Sequence, residues 1–269
     1  MADRADVKLA CMSHLWGPKA ADLAGPDGAE RTRAWMTDIA QAGYDGFAAF
    51  DELLLGLAAT GFFAGLVDET GLKLASVDYV IGRDFDRLRR VCEVMQRLGA
   101  PHLVTISGLA QRGADMDEIA ELLDAIGEVA LRYGVRACYH NHTHHTGETL
   151  EETEALVART DPAKFFGFLD VGHATKDFAG HPVERRAALF LERNWERIDF
   201  LEFKDWSEEH DLCTEVGAGR CDYAAVFGIL KRKGYSGWIT VEQNGPMGDR
   251  SRIESVRASC AFIRSGLGL

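Results

Sequence analysis

Short apolar runs that suit strands alternate along this chain with longer runs at helical spacing, and the alternation holds from residue 7 onward. VKLACMSH (7–14) predicts a strand, followed by a polar Gly/Pro loop and by ERTRAWMTDIAQAG, where Trp35, Ile39 and Ala40 share a helical face. GYDGFAAF predicts a second strand. LLLGLAATGFFAGLVDETG predicts one helix ending at Gly71, and LKLASVDYVI a third strand. DFDRLRRVCEVMQRLGA opens on an aspartate suited to capping and closes at Gly99; PHLVTISG is the fourth strand, with Pro101 at its first residue. Met116 to Tyr133 carries a clean stripe of Ile119, Leu122, Leu123, Ile126, Val129 and Ala130. Val135 to His142 is the fifth strand, GETLEETEALVART a helix and FFGFLDVGH the sixth strand. Arg185 to Trp195 is helical, IDFLEFKDW the seventh strand, DYAAVFGILKRKG a helix, GWITVEQ the eighth strand, and Arg250 to Ile263 the closing helix.

Eight such strand and helix pairs predict an α/β fold, a single (β/α)8 TIM barrel over residues 1–269. A doubly wound sheet would tend to carry a Gly-rich phosphate turn after its first strand, and Ser13 to Lys19 holds no such motif. No linker or low-complexity stretch divides the chain.

Composition narrows the function classes. With 269 residues, 46% of them apolar, the chain can bury a large core. A net charge of -12, with basic residues scattered, argues against nucleic acid as a partner. Six cysteines lie far apart with no CxxC pair, which fits a reduced cytoplasmic protein rather than a zinc ribbon or a redox motif. The N-terminus lacks the apolar core of a signal peptide, and the longest apolar stretch, Leu53 to Leu66, contains Thr60 and three glycines. No membrane role is expected.

The chemistry collects where a barrel would place it. VRACYHNHTHH (135–145) runs from an apolar strand into four histidines within six residues. Residues i and i+2 on a strand face the same way, so His140 and His142 are expected to share one cavity. Strand six ends in Asp170 and His173, strand seven in Glu202, Lys204 and Asp205, and strand eight in Glu242, Gln243 and Asn244. The early strands end more blandly, in His14 and Trp16, Asp51 and Glu52, Asp78 and Tyr79, and Thr105 and Ser107. A charge at the tail of an apolar run is costly unless paired or coordinated, and GFLDVGH is the sharpest instance. Asp170 there predicts a metal ligand or a buried ion pair, with a helix cap as the plain alternative. Carboxylates and imidazole converging on one barrel mouth suit a single divalent ion, Mn²⁺, Mg²⁺, Co²⁺ or Zn²⁺.

LDVGHA (169–174), FKDW (203–206), VGAGRCDYAAVF (216–227) and YSGWITVEQ (235–243) resemble the xylose isomerase-like barrels, the sugar phosphate isomerase/epimerase superfamily. That superfamily includes ketose 3-epimerases, hydroxypyruvate isomerases, inosose dehydratases and C-glycoside deglycosidases. The resemblance implies one divalent metal held by a residue after each of strands five to eight, usually Glu, Asp, His and Glu. Carried over, the second and fourth ligands are Asp170 and Glu242. EFKD places Glu202 where the family has His, and HNH places His140 where it has Glu, an exchange of ligand types. Glu148 and His142 are the alternatives for the first ligand.

The reaction so implied is metal-dependent α-proton abstraction from a ketosugar, keto-glycoside or keto-cyclitol through a metal-stabilised enediolate. Return of the proton gives an isomerase or epimerase, such as a ketose 3-epimerase or hydroxypyruvate isomerase. Loss of a β-group gives a lyase, a dehydratase or deglycosidase. A ligated His140 is a poor base, so acid and base duties fall to Glu242 with His142 or His145, which favours elimination. His173, Lys204 and Arg220 are expected to hold substrate hydroxyls, and Trp16 to form an apolar wall. A homo-oligomer is expected, and deglycosidase relatives imply a small partner subunit as a further arrangement. Endonuclease IV, in the same superfamily, cuts DNA with three zinc ions; this chain is too acidic and too poor in early-strand ligands for that. A metal-free binding or partner subunit is the remaining alternative.

Overall fold

The computed structural model describes residues 6–269. Eight strands close into one parallel barrel in chain order: β1 (Val7–Met12), β2 (Gly46–Phe50), β3 (Lys73–Val80), β4 (His102–Ile106), β5 (Arg136–Tyr139), β6 (Phe165–Asp170), β7 (Ile198–Phe203) and β8 (Gly237–Val241). Ten α-helices among the described residues surround it. They are α1 (Gly28–Gln41), α2 (Asp51–Ala58), α3 (Phe63–Thr70), α4 (Phe85–Leu98), α5 (Met116–Leu131), α6 (Leu150–Arg159), α7 (Val171–Asp177), α8 (Arg186–Asn194), α9 (Tyr223–Lys233) and α10 (Arg252–Leu267).

The expected barrel is therefore present, with two local differences. The apolar run from residue 51 to 70 is two helices, α2 and α3, bent by 104°. Gly61, within the break, has the backbone freedom that a continuous helix disfavours. DVGHATKD also coils into a helix, α7, directly after β6, where sequence periodicity shows only a strand tail. Among the described residues no single helix is long and apolar enough to cross a membrane.

Local sequence explains the ends of the elements. Asp115 accepts from the backbone N–H of Asp117 and Glu118 at the start of α5, and Asp84 accepts from Arg87 at the start of α4. Thr149 with Glu152, and Ser251 with Glu254, form capping boxes on α6 and α10. The predicted stripe of α5 is buried against the strands.

Strand alternation sorts side chains into two packed regions. Residues such as Leu103, Ala137, Leu169, Leu201 and Ile239 face the helices. Val104, Cys138, Phe168 and Phe200, with Trp238 beside them, fill the barrel interior as a separate cluster. Two residues beyond these inward positions stand His140, Asp170, Glu202 and, from Thr240, Glu242. The apolar plug thus forms the floor beneath the polar residues.

Candidate active site

Sheet register brings the first pair together, because Asp170 on β6 lies directly beside Glu202 on β7. His140, just past β5, completes the group: its Nε2 is 3.3 Å from Glu202 Oε1 and 3.6 Å from Asp170 Oδ2. One ligand atom from each of the three lies within 4.8 Å of the others. All three residues are buried, and Asp170 Oδ2 and Glu202 Oε1 have no hydrogen-bond partner. Buried, unpartnered carboxylate oxygens are costly, so their convergence on an imidazole nitrogen fits a bound divalent cation. The donor set, two carboxylates and one imidazole without thiolate, suits Mg²⁺, Mn²⁺, Co²⁺ or Zn²⁺.

Surrounding groups fix how each ligand presents itself. His140 Nδ1 lies 3.0 Å from the Asn141 carbonyl, which can only accept, so the proton sits on Nδ1 and Nε2 keeps its lone pair. The Asn141 side chain in turn clamps the Asp170 backbone, accepting from its N–H at 2.8 Å and donating to its carbonyl at 3.0 Å. Asp170 plays both roles that sequence offered it. Its Oδ1 caps α7 through the His173 N–H at 2.8 Å, while Oδ2 faces the cluster.

Glu242 is buried beside this group but holds to different partners. Lys204 Nζ is 3.1 Å from Glu242 Oε1 and 3.9 Å from Asp170 Oδ2. Burial alone would raise the Glu242 carboxyl, but the Lys204 ammonium outweighs it and holds the carboxyl at about 2. Burial, reinforced by Glu242 and Asp170, pushes the Glu202 carboxyl well up. Gly172 permits the packing, since a Cβ there would stand 2.7 Å from the Lys204 stem.

Three further imidazoles adjoin the cluster. The His142 ring stacks on His145 at 4.5 Å and lies 4.0 Å from His173 and 5.4 Å from His140. His142 Nδ1 donates to the Thr143 carbonyl at 2.8 Å, which leaves Nε2 as an acceptor. Burial, then His140, lowers the His142 imidazole to about 3, so it stays neutral. His173 Nδ1 lies 2.9 Å from Thr143 Oγ1, 3.3 Å from the Thr143 N–H and 3.4 Å from Asp177 Oδ2, while its Nε2 is buried without a partner. His145 Nε2 contacts Ser107 Oγ at 3.2 Å.

Other expected site residues lie elsewhere. Arg220 is not directed at the cluster; its guanidinium is bound by Glu184 at 2.6 Å and by Glu208. The Trp16 indole donates to Asp38 of α1 at 2.9 Å and lines a surface groove of about 210 Å³ with Trp35 and Arg31 rather than the barrel mouth. Glu148, an alternative first ligand, pairs with Arg112 at 2.8 Å, and neither it nor His142 belongs to the ligand cluster.

Two structural roles were not singled out from sequence. Asn141 is one, and the HNH spacing was its only signal. Asp205 is the other: its carboxylate accepts from the backbone N–H of Trp206, Gly217, Gly219 and Cys221, folding the 206–222 loop around one buried side chain. Behind Glu242, Gln243 is fixed to α10 through Ser255 and Ser259, each at 3.1 Å.

Residues 36–266 match the family described as xylose isomerase-like TIM barrel. The chain is 31% identical over 145 residues to an inosose dehydratase of Bacillus licheniformis, covering 48% of this chain and 46% of that protein. It is 28% identical over 171 residues to the inosose dehydratase of Lactiplantibacillus plantarum, covering 57% and 55%. The matched segments thus span about half the length of these relatives. Among solved structures, a D-allulose 3-epimerase from Methylomonas sp. superposes with a TM-score of 0.75 at 18% identity, over 99% of this chain and 100% of that one. A xylose isomerase-like TIM barrel protein from Mycobacterium smegmatis in complex with magnesium gives 0.75 at 16%, over 97% and 96%. The probable 3-DHS dehydratase AsbF from Bacillus anthracis gives 0.73 at 11%, over 95% and 98%. At these identities the superpositions speak to the fold.

Proposed function

Because the chain belongs to the xylose isomerase-like TIM barrel family, we propose that it is a divalent-cation-dependent lyase of the dehydratase type. Its substrate would be a ketosugar, keto-glycoside or keto-cyclitol, from which it removes the proton next to the carbonyl and then a β-hydroxyl. The convergence of His140 Nε2 with the unpartnered oxygens of Asp170 and Glu202 carries this reading. The inosose dehydratase relatives supply the substrate class.

His140, Asp170 and Glu202 would hold the ion, with Glu242 beside them, and a bound divalent ion would supply the Lewis acidity that lowers the barrier to α-proton loss. The chain's own residues divide the remaining work. His142 Nε2 is available to take a proton, since its Nδ1–H is already committed to Thr143. Glu242 remains a carboxylate beside Lys204 and offers a second acceptor. His173 Nε2, buried and unpartnered, is available to a substrate hydroxyl, with His145 closing the imidazole side. Lys204 offers its ammonium to a substrate hydroxyl near Glu242.

The residue set favours elimination over epimerisation. His140 stands in the cluster, where a bound ion would occupy its Nε2 and leave it a poor base, whereas epimerisation needs proton exchange on opposite faces of one carbon. The test is incubation of the cation-loaded protein in D₂O with inososes, ketoses and 3-keto-glycosides. Solvent exchange at the α-carbon with formation of a dehydrated product is expected for at least one compound. Exchange with epimer formation and no elimination would overturn the lyase assignment. No exchange anywhere would overturn the reaction class.

A further inference from the structure

Asp78, near the end of β3, is the one carboxylate among the described residues whose two oxygens are both buried without a partner. Its neighbours Val77 and Tyr79 pack between strands and helices, so strand alternation aims Asp78 into the barrel. Two residues earlier, Ser76 Oγ meets Thr240 Oγ1 across the barrel at 3.3 Å. Two residues further along both strands stand Asp78 and Glu242, and the charges acting on Asp78 are those of Glu242, Lys204, Asp51 and Asp170. Asp78 lies outside the three-residue cation cluster. Like His140 and Glu202, it is 1% exposed.

An orphaned buried carboxylate weakens the fold unless a ligand completes its hydrogen bonds. We propose that Asp78 is a specificity-determining residue that contacts substrate, exchanging a hydrogen bond with a substrate hydroxyl on the β3 side of the barrel. This inference rests on the reading of the chain as an enzyme of keto-cyclitols or ketosugars. It narrows the substrate to one that is hydroxylated at that end.

The experiment compares the parent, Asp78→Ala and Asp78→Asn with an inosose and its set of monodeoxy analogues, measuring binding, kcat and KM, and the melting temperature without ligand. For the parent compound, Asp78→Ala should lower kcat/KM by about 10-fold, the worth of one buried hydrogen bond. The loss should shrink to less than about 3-fold for the one analogue lacking the contacted hydroxyl. Asp78→Asn should fall between, and the unliganded melting temperature of Asp78→Ala should equal or exceed the parent's. An equal loss on every analogue, or a lower melting temperature, would overturn the assignment. If the unaltered protein converts the inosose and Asp78→Ala does so equally well, the role of Asp78 alone fails. If the unaltered protein neither binds nor converts any of these compounds, the functional reading fails and takes this inference with it.

Discussion

Lys204 Nζ stands 3.1 Å from Glu242 Oε1 inside the barrel, with the two side chains 2% and 11% exposed. The ammonium is the resident positive charge of a chamber that also buries Asp78, Asp170 and Glu202. Lys204→Met would leave these carboxylates without it. The expected result is a stability loss of about 3–5 kcal/mol in cation-free buffer, the usual cost of halving a buried pair. The rise in melting temperature on adding a divalent ion should be larger than in the parent, because the ion then relieves more repulsion. Denaturation with and without Mn²⁺ checks both; an unchanged stability and ion response would contradict the pairing.

Asp170 separates capping from cation binding atom by atom. In Asp170→Asn the side-chain oxygen can still accept from the His173 N–H, so α7 should keep its first turn while the ion-dependent thermal shift disappears. Asp170→Ala should lose the same shift and about a further 1 kcal/mol for the missing cap. Ion titrations followed by melting temperature, with chemical denaturation in chelator, distinguish the two variants.

Asp177 gives the clearest pH dependence. Burial raises its carboxyl to about 6 despite the 2.6 Å hydrogen bond from Thr143 Oγ1. Between its unfolded value and about 6 the folded chain binds the proton more tightly than the unfolded one, so this residue's contribution to stability falls as pH rises through that window. Asp177→Asn removes the effect. The variant should match the parent near pH 4 and exceed it above pH 7, by at most about 3 kcal/mol. Denaturation curves at several pH values check this, and a pH-independent difference would rule it out.

The loop that follows β7 hangs on Asp205, whose carboxylate receives four backbone N–H groups. Asp205→Ala should cost about 2–4 kcal/mol and open residues 206–222 to proteolysis, since several charge-assisted hydrogen bonds go at once. Gly219→Ala should act in the same direction, because its Cβ would sit 2.3 Å from Asp205 Oδ1. Limited proteolysis with mass mapping would show cleavage within this loop; cleavage elsewhere would argue against the role.

The barrel was legible in the sequence because each strand and helix carries its own periodicity, and the polar cluster was legible because charges at the ends of apolar runs are rare and costly. The convergence of His140, Asp170 and Glu202 is legible that way and with the help of the family resemblance. Sequence shows Arg220 as a cation but not its competitors, and Glu184 and Glu208 hold its guanidinium. For Trp16, strand β1 ends at Met12 and a short turn sets the indole against Asp38. Asp78 looked bland from its neighbours, since only the closed barrel shows that nothing pairs with it. Helix α7 is hidden in the sequence because seven residues give too short a window for period.

The central claim is that His140, Asp170 and Glu202 hold one divalent ion, and the most direct test is metal analysis of the protein beside its Glu202→Ala variant after loading with Mn²⁺, Mg²⁺, Co²⁺ or Zn²⁺. The expected result is near-stoichiometric ion in the parent and its loss from the variant. Ion retained by Glu202→Ala would remove Glu202 from the ligand set, and a parent that holds none would contradict the account.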